Sequence, residues 1–151
     1  MKKTILLADN DDAVRHTLGR VLQSEQYEVL LARTGREAAT QFLHIGPPDL
    51  VLLDLNMPDK DGWEAFHLIS QLDQLVPVII ITARPRQHEK AVELGVDALM
   101  EKPLDLPLLL STIKDLLAES GKARVERLTN PTVATEFPVR RAHELAQGGE
   151  A

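Results

Sequence analysis

The feature that most constrains this chain is the regular alternation of short apolar runs with segments of helical periodicity. Several runs are continuously apolar rather than alternating, which is typical of strands buried on both faces of a sheet. The five runs are Thr4–Ala8, Tyr27–Ala32, Leu50–Leu53, Val78–Ile81 and Ala98–Met100. Apolar residues between the runs recur at helical spacing. In the first such segment they are Val14, Leu18, Val21 and Leu22.

Start and stop signals for helices agree with this alternation. Asp11 or Asp12 can cap the first helix, and Thr34 followed by Glu37 predicts a capping box for the second. Gly95 stands where the glycine after a helix is expected. Five strand–helix units in succession predict an α/β fold with right-handed crossovers. The expected architecture is a flavodoxin-like, doubly wound, five-stranded parallel sheet with strand order 2-1-3-4-5.

Charge and composition divide the chain into two unequal parts. Residues 1–120 carry 12 basic and 19 acidic residues, whereas residues 121–151 carry five and four. The second part contains three glycines and two prolines and has no sustained apolar period. We therefore predict one domain over residues 1–120 and a flexible tail or linker over residues 121–151.

Several classes of function are disfavoured by composition. A formal net charge of -6 and an aromatic content of 3% disfavour direct binding to nucleic acid. The absence of cysteine excludes disulfides, thiolate metal sites and cysteine nucleophiles. Because no apolar stretch approaches about 18 residues, and the N-terminal run is too short for a signal peptide, we expect a cytoplasmic protein without membrane contact.

Polar residues follow the predicted strands at their carboxyl ends, where parallel sheets bind ligands. Asp9 and Asn10 follow the first strand, and Asp54 follows the third. Thr82 and Lys102 follow the fourth and fifth strands. Clustered carboxylates repel one another, and Mg²⁺, which prefers oxygen ligands, relieves that repulsion. A carboxylate can attack phosphorus, while a metal, a lysine and a hydroxyl stabilise the transferred phosphoryl group.

Four motifs in order carry a family resemblance. They are Ile5-Leu6-Leu7-Ala8-Asp9-Asn10-Asp11, Leu52-Leu53-Asp54-Leu55-Asn56-Met57-Pro58 with Asp61-Gly62, Ile81-Thr82-Ala83, and Glu101-Lys102-Pro103-Leu104. This set resembles the receiver domain of two-component response regulators, over residues 3 to about 119. The resemblance implies that Asp54 accepts the phosphoryl group, that Thr82 is the switch hydroxyl and that Lys102 pairs with phosphate. It also implies a cis peptide between Lys102 and Pro103.

The resemblance further implies a Mg²⁺ site formed by Asp9, Asn10, Asp54 and the main-chain carbonyl of Asn56. One member of that set departs from the family, which usually has a second acid where this chain has Asn10. An amide oxygen can bind a cation but brings no charge. We therefore expect weaker Mg²⁺ binding than in a typical receiver.

Two further positions bear on switching. The family usually has tyrosine or phenylalanine where this chain has Leu99, and the aromatic ring moves together with the threonine. With leucine there, any switch must pass through backbone movement of the loop after Thr82. Arg84, two residues beyond Thr82, either pairs with phosphate, blocks attacking water or is a solvated loop residue.

The resulting expectation is a signalling module rather than an enzyme with a diffusible product. The resemblance implies that a histidine kinase or phosphotransfer protein phosphorylates Asp54 with Mg²⁺. The change then alters a face formed by helix 4, strand 5 and helix 5, which binds a downstream protein or a second copy. The alternative is a phosphorylation-independent pseudo-receiver that acts as a binding module. An aspartate-nucleophile phosphatase is disfavoured, because the required second acid is replaced by Asn56.

Overall fold

Strands and helices alternate throughout the computed structural model, which describes residues 2–56, 62–73, 75–119, 122–123 and 125–126. The strands are β1 (Thr4–Ala8), β2 (Glu28–Ala32), β3 (Leu50–Asp54), β4 (Val78–Thr82) and β5 (Ala98–Glu101). The helices are α1 (Asp12–Ser24), α2 (Gly35–Ile45), α3 (Gly62–Leu72), α4 (His88–Leu94) and α5 (Leu106–Ala118). The predicted succession of five strand–helix units is confirmed.

The strands form one sheet in the order β2-β1-β3-β4-β5, which confirms the predicted doubly wound parallel fold. Three strands, β3, β4 and β5, extend one residue beyond the apolar runs that predicted them. β3 includes Asp54 and β4 includes Thr82, so both polar residues belong to the strands themselves. The predicted tail, residues 121–151, lies almost entirely outside the described residues and stays a prediction.

The chain divides into two compact units, residues 1–78 and 79–151. In the first unit β1 pairs with both β2 and β3, and Ala8 lies opposite Ala32 on one side and Leu53 on the other. Every residue of β3 is buried. β2 is the edge strand, and its Leu31 is 43% exposed. The interior of this unit is therefore centred on β1 and β3, which end at the predicted acidic residues.

Helix α1 presents a different face to the interior from the one its apolar spacing predicts. The buried residues are Arg15, Leu18, Gly19 and Leu22, whereas Val14 and Val21 are only half-buried. The helix is turned so that an arginine three residues before Leu18 joins the buried stripe. Of the four apolar residues that the spacing singled out, Leu18 and Leu22 are therefore buried, and Arg15 was not anticipated among the buried residues.

Capping groups begin and end the helices largely as predicted. The Asp11 carboxylate caps α1 by accepting the main-chain N–H groups of residues 13 and 14. The Thr34 hydroxyl accepts the N–H of Glu37 at 3.0 Å, which supplies one half of the predicted capping box. Gly95 ends α4 in the left-handed conformation with φ 78°. Across the described part of the chain, no helix is both long enough and apolar enough to cross a membrane.

In the second unit β4 pairs with β5, with Ile80 opposite Leu99 and Thr82 opposite Glu101. All of β4 is buried. Helix α5 begins after Asp105, whose carboxylate caps it, and buries residues 109, 112, 113 and 116. This unit therefore brings the ends of β4 and β5, which carry Thr82 and Lys102, next to each other.

Candidate functional site

The predicted site residues fall into one group in each compact unit. Asp9, Asn10, Asp54 and Asn56 belong to the first unit and follow or end β1 and β3. Thr82 and Lys102 belong to the second unit, at the ends of β4 and β5. Within each unit, strand pairing brings the members of the group together.

Asp9 and Asp54 occupy adjacent positions on two neighbouring strands. Ala8 lies opposite Leu53 in the parallel pairing of β1 with β3, so the residues that follow them are neighbours at the same edge. Neighbouring strands lie about 4.8 Å apart. Both residues are buried, with exposed fractions of 1% for Asp9 and 4% for Asp54. Two carboxylates on neighbouring strands at one edge of a sheet supply oxygen ligands of the kind that a divalent cation prefers.

Hydrogen bonds to the main chain hold each carboxylate in place. The Oδ1 atom of Asp9 accepts the N–H of Asp11 at 2.9 Å. In the same way, Oδ1 of Asp54 accepts the N–H of Asn56 at 3.0 Å. The main-chain N–H of Asp9 donates to the carbonyl of Ala32 at 3.1 Å, which extends the sheet by one residue beyond β1. Both carboxylates are therefore fixed by the turns that follow their strands.

The donor set at this edge suits a hard cation. Asn10 and Asn56 are exposed beside the two buried carboxylates and offer amide and carbonyl oxygens. Oxygen ligands of this kind are those that Mg²⁺ takes, usually together with several waters. Within the described ranges no group of three or more histidine, cysteine, aspartate or glutamate side chains that could hold a metal is present.

The second group is built around the main chain of Thr82. Thr82 is fully buried, and its carbonyl accepts the N–H of Lys102 at 2.8 Å. Its hydroxyl oxygen accepts the N–H of Arg84 at 2.8 Å. The peptide between Lys102 and Pro103 is cis, as the family resemblance implied. The threonine and the lysine therefore share one local framework at the end of β4 and β5.

The two positions that bear on switching have distinct surroundings. Leu99 is 5% exposed and lies opposite Ile80 in β4, so an aliphatic side chain fills the place where the family has an aromatic ring. Arg84 is half-buried, and its main-chain N–H binds the Thr82 hydroxyl. The role proposed for the Arg84 guanidinium stays a prediction.

Gly62 is a site-forming residue to which the sequence assigned no role. It begins α3, and its N–H donates to the carbonyl of Leu55 at 3.0 Å. A Cβ at this position would overlap the Cα of Leu55 and lie 2.8 Å from the carbonyl oxygen of Asp54. Only glycine permits this approach, so Gly62 sets the path of the chain beyond Asp54. The sequence signal was the glycine that closes the third-strand motif, whose Met57, Pro58 and Asp61 lie outside the described residues.

Arg15 is the second residue that sequence reasoning missed. Its Nη1 atom donates to the carbonyl oxygen of Asp9 at 2.7 Å, and its Nη2 atom pairs with the carboxylate of Asp12. The side chain is only 11% exposed. A charged residue within the buried stripe of an amphipathic helix was the signal that could have revealed it. Arg15 thus reaches from α1 back to the turn that carries Asp9.

Comparison with known proteins identifies the family. The model of the response regulator receiver domain matches residues 5–114. Response regulator MprA of Mycolicibacterium vanbaalenii is 37% identical over 119 residues, which cover 78% of this chain and 51% of MprA. Transcriptional regulatory protein KdpE of Staphylococcus aureus is 32% identical over 143 residues, or 91% of this chain and 60% of KdpE. The chain thus spans about half the length of these curated relatives.

Solved structures show the same fold. A CheY-like response regulator receiver domain protein from Methanospirillum hungatei matches with a TM-score of 0.73 and 28% identity, covering 78% of this chain and 94% of that one. The response regulator TrrA of Thermotoga maritima, in complex with Mg(2+)-BeF, matches with a TM-score of 0.70 and 31% identity, covering 77% and 99%. Together with the acid pair at the ends of β1 and β3, these matches show that the chain belongs to the receiver domain family of two-component response regulators.

Proposed function

We propose that this chain accepts a phosphoryl group on Asp54 from a histidine kinase or a phosphotransfer protein. The observation that carries the proposal is the buried Asp54 carboxylate at the end of β3, beside Asp9 at the end of β1. Strand β3 is buried along its whole length, so the nucleophile stands on a rigid base. The turn after the strand fixes its orientation through the N–H of Asn56. A fixed carboxylate lowers the cost of reaching the geometry of in-line attack.

The transfer is a substitution at phosphorus. A carboxylate oxygen of Asp54 forms a bond to phosphorus, and the bond between phosphorus and the donor histidine nitrogen breaks. The departing imidazole keeps the electron pair of that bond and takes up a proton. Mg²⁺, held by the side chains of Asp9, Asn10 and Asp54 and the carbonyl of Asn56, would neutralise charge on the phosphoryl oxygens when bound.

The residues of the second unit take the roles that the family resemblance assigns. Thr82 supplies the switch hydroxyl, and Lys102 supplies the ammonium group that pairs with phosphate. The Thr82 hydroxyl accepts the Arg84 N–H and still has its own hydrogen to donate. A hydrogen bond from Thr82 to a phosphoryl oxygen is therefore compatible with the loop contact that the structure shows.

We place the output on the face of α4, β5 and α5. Phosphorylation of Asp54 biases a two-state equilibrium of this face, which then binds a downstream protein or a second copy of the chain. Because Leu99 fills the aromatic position of β5, the bias passes through the main chain after Thr82. We expect the chain to act in the cytoplasm together with its kinase.

A second candidate is a pseudo-receiver that binds partners without phosphorylation. Two substitutions favour it, namely Asn10 in place of an acid and Leu99 in place of an aromatic residue. The presence of Asp54, Thr82 and Lys102 favours the first proposal, because the family resemblance assigns these three residues to phosphoryl transfer.

The decisive test is intact mass after incubation with phosphoramidate or acetyl phosphate and Mg²⁺. We expect a gain of one phosphoryl group in the wild-type protein and none in Asp54→Asn. The asparagine variant is the matched control, because its amide oxygen can still accept the Asn56 N–H and preserve the turn. A wild-type protein that gains no mass, with these donors or with a cognate kinase, supports the pseudo-receiver instead.

A further inference from the structure

A buried arginine stands next to the acid pair without a role in the proposed phosphoryl transfer. Arg15 is the one basic residue among the buried polar side chains of the described residues. Burying a guanidinium is costly unless its N–H groups are satisfied. Arg15 directs them to the turn between β1 and α1, at the carbonyl of Asp9 and the carboxylate of Asp12.

The contact with Asp9 fixes a peptide plane. The carbonyl of Asp9 belongs to the peptide that joins Asp9 to Asn10, and Arg15 Nη1 binds it at 2.7 Å. The N–H of Asp9 is bound by the carbonyl of Ala32 at 3.1 Å. The main chain of Asp9 is therefore held on both sides. Arg15 therefore restrains the peptide that leads into Asn10, in a turn that the Asp11 N–H also holds through Oδ1 of Asp9.

The charge of this contact is balanced locally. Asp12, whose side chain is 88% exposed, forms an ion pair with Arg15 Nη2. The pair carries no net charge, so the guanidinium adds little repulsion toward a cation at the edge of the sheet. Its contribution is geometric, since the planar guanidinium bridges two points of one turn.

We propose that Arg15 is a positioning residue for divalent cation binding, acting through the peptide between Asp9 and Asn10. The inference rests on the proposed function of the acid pair. The orientation of Asn10 is important because its amide offers only a dipole to the cation, whereas a third carboxylate would offer a charge. A neutral ligand attracts a cation less strongly than a carboxylate does, so the orientation of its oxygen, and hence pre-organisation by Arg15, matters more in this chain.

The test measures the binding of Mn²⁺ to the full chain. Binding is detected by electron paramagnetic resonance as a decrease in the signal of free Mn²⁺. We expect Arg15→Gln to weaken Mn²⁺ binding by about tenfold, the scale seen when groups behind metal ligands are changed. Arg15→Lys keeps a donor for the Asp9 carbonyl but loses the planar bridge to Asp12, so its Mn²⁺ affinity should lie between those of the wild type and Arg15→Gln. The matched control is Arg20→Gln, an exposed arginine of the same helix, which should bind Mn²⁺ as the wild type does.

A second measurement separates positioning from general structural damage. The initial rate of phosphorylation by phosphoramidate should need more Mg²⁺ in Arg15→Gln, yet return to the wild-type rate at saturating Mg²⁺. Circular dichroism identifies the variants that fold. If Arg15→Gln does not fold, Arg15→Lys decides, and an unchanged Mn²⁺ affinity in that variant overturns the inference.

The two proposals fail in different ways. Equal Mn²⁺ affinities of folded Arg15→Gln and the wild type overturn the role of Arg15 and leave phosphorylation of Asp54 standing. A wild-type chain that does not bind Mn²⁺ overturns the cation site itself, and with it this inference.

Discussion

The ends of β3 and β4 use the same local device for different chemistry. Each strand is buried along all five residues and finishes on a polar side chain, Asp54 in β3 and Thr82 in β4. In each case the side-chain oxygen accepts the N–H two residues further on, from Asn56 at 3.0 Å and from Arg84 at 2.8 Å. The two strand ends are thus matched in backbone geometry, and the chemical difference lies in the group that is presented.

The difference between a carboxylate and a hydroxyl determines what each end can do. A carboxylate can accept hydrogen bonds, bind a cation or attack phosphorus, and Asp54 holds its turn through Oδ1. A threonine has a single oxygen, which binds the Arg84 N–H while its hydrogen stays available for donation. The carboxylate at the end of β3 is suited to bind a cation or attack phosphorus, whereas the hydroxyl at the end of β4 is suited to donate a hydrogen bond to an anionic group.

The largest expected effect comes from a substitution that crowds the main chain at the end of β3. Gly62→Ala should lower the free energy of unfolding by about 3 kcal/mol, because the added Cβ overlaps the main chain of Leu55 and forces it to move. The Asn56 carbonyl follows Leu55, so Mg²⁺ binding should weaken as well. Urea denaturation and a Mg²⁺ titration of the variant measure the two effects.

A second glycine provides the control for this substitution. Gly19 lies in α1, and a Cβ there would meet Leu31 Cδ2 at 3.5 Å, an ordinary contact. Gly19→Ala should therefore raise stability by about 0.5 kcal/mol through helix propensity. Equal effects of the two substitutions would contradict the crowding of Leu55 by Gly62.

The next largest effect is expected when an acid is introduced at position 10, beside the end of β3. Asn10→Asp should tighten Mg²⁺ binding by about tenfold, or about 1.4 kcal/mol, because a third carboxylate joins Asp9 and Asp54. Without Mg²⁺ the same variant should be less stable, since the added charge repels the buried pair. Trp63, the residue after Gly62, is buried and packs against Phe66. Its fluorescence therefore offers a readout for the titration.

The result for Asn10→Asp bears directly on the expected weakness of the cation site. Equal Mg²⁺ affinities of the wild type and the variant would show that the amide of Asn10 is not a limiting ligand. Thermal unfolding with and without Mg²⁺ provides the independent check.

The smallest effect tests the β4 end. Thr82→Val keeps the branched shape but removes the acceptor of the Arg84 N–H, and should cost about 1 kcal/mol of stability. Thr112→Val is the matched control, because the hydroxyl of that buried residue donates to the carbonyl of Leu108 within its own helix. Urea denaturation compares the two. An equal cost for both would mean that the Arg84 contact adds nothing specific to the β4 end.

Much of the fold followed from patterns that are local in the chain. Apolar runs such as Leu50–Leu53 and Val78–Ile81 predicted buried parallel strands, and both strands form with one further residue each. The capping residues Thr34 and Gly95 act as expected. These signals succeed because strand burial and helix caps depend on neighbours a few residues away.

Sequence-based prediction was less successful where contacts between distant segments determine which residues are buried. Apolar spacing favoured Val14 and Val21 for the buried face of α1, but α1 is turned so that Arg15 is buried instead. The carbonyl of Asp9 provides the compensating contact, and no pattern in the sequence displays it. Apolar periodicity shows where apolar residues lie in the chain. It does not show where a buried polar group finds a hydrogen-bond partner.

The sequence by itself determined the alternation of strands and helices, the family, and the residue types gathered at the strand ends. Only the tertiary structure decided that Asp9 and Asp54 are both buried, that Gly62 leaves no room for a Cβ, and that Arg15 holds the turn after β1. The physical reason is that local patterns reflect hydrophobicity and backbone propensity. Distances between residues far apart in the chain follow from strand register and packing, which exist only once the sheet has formed.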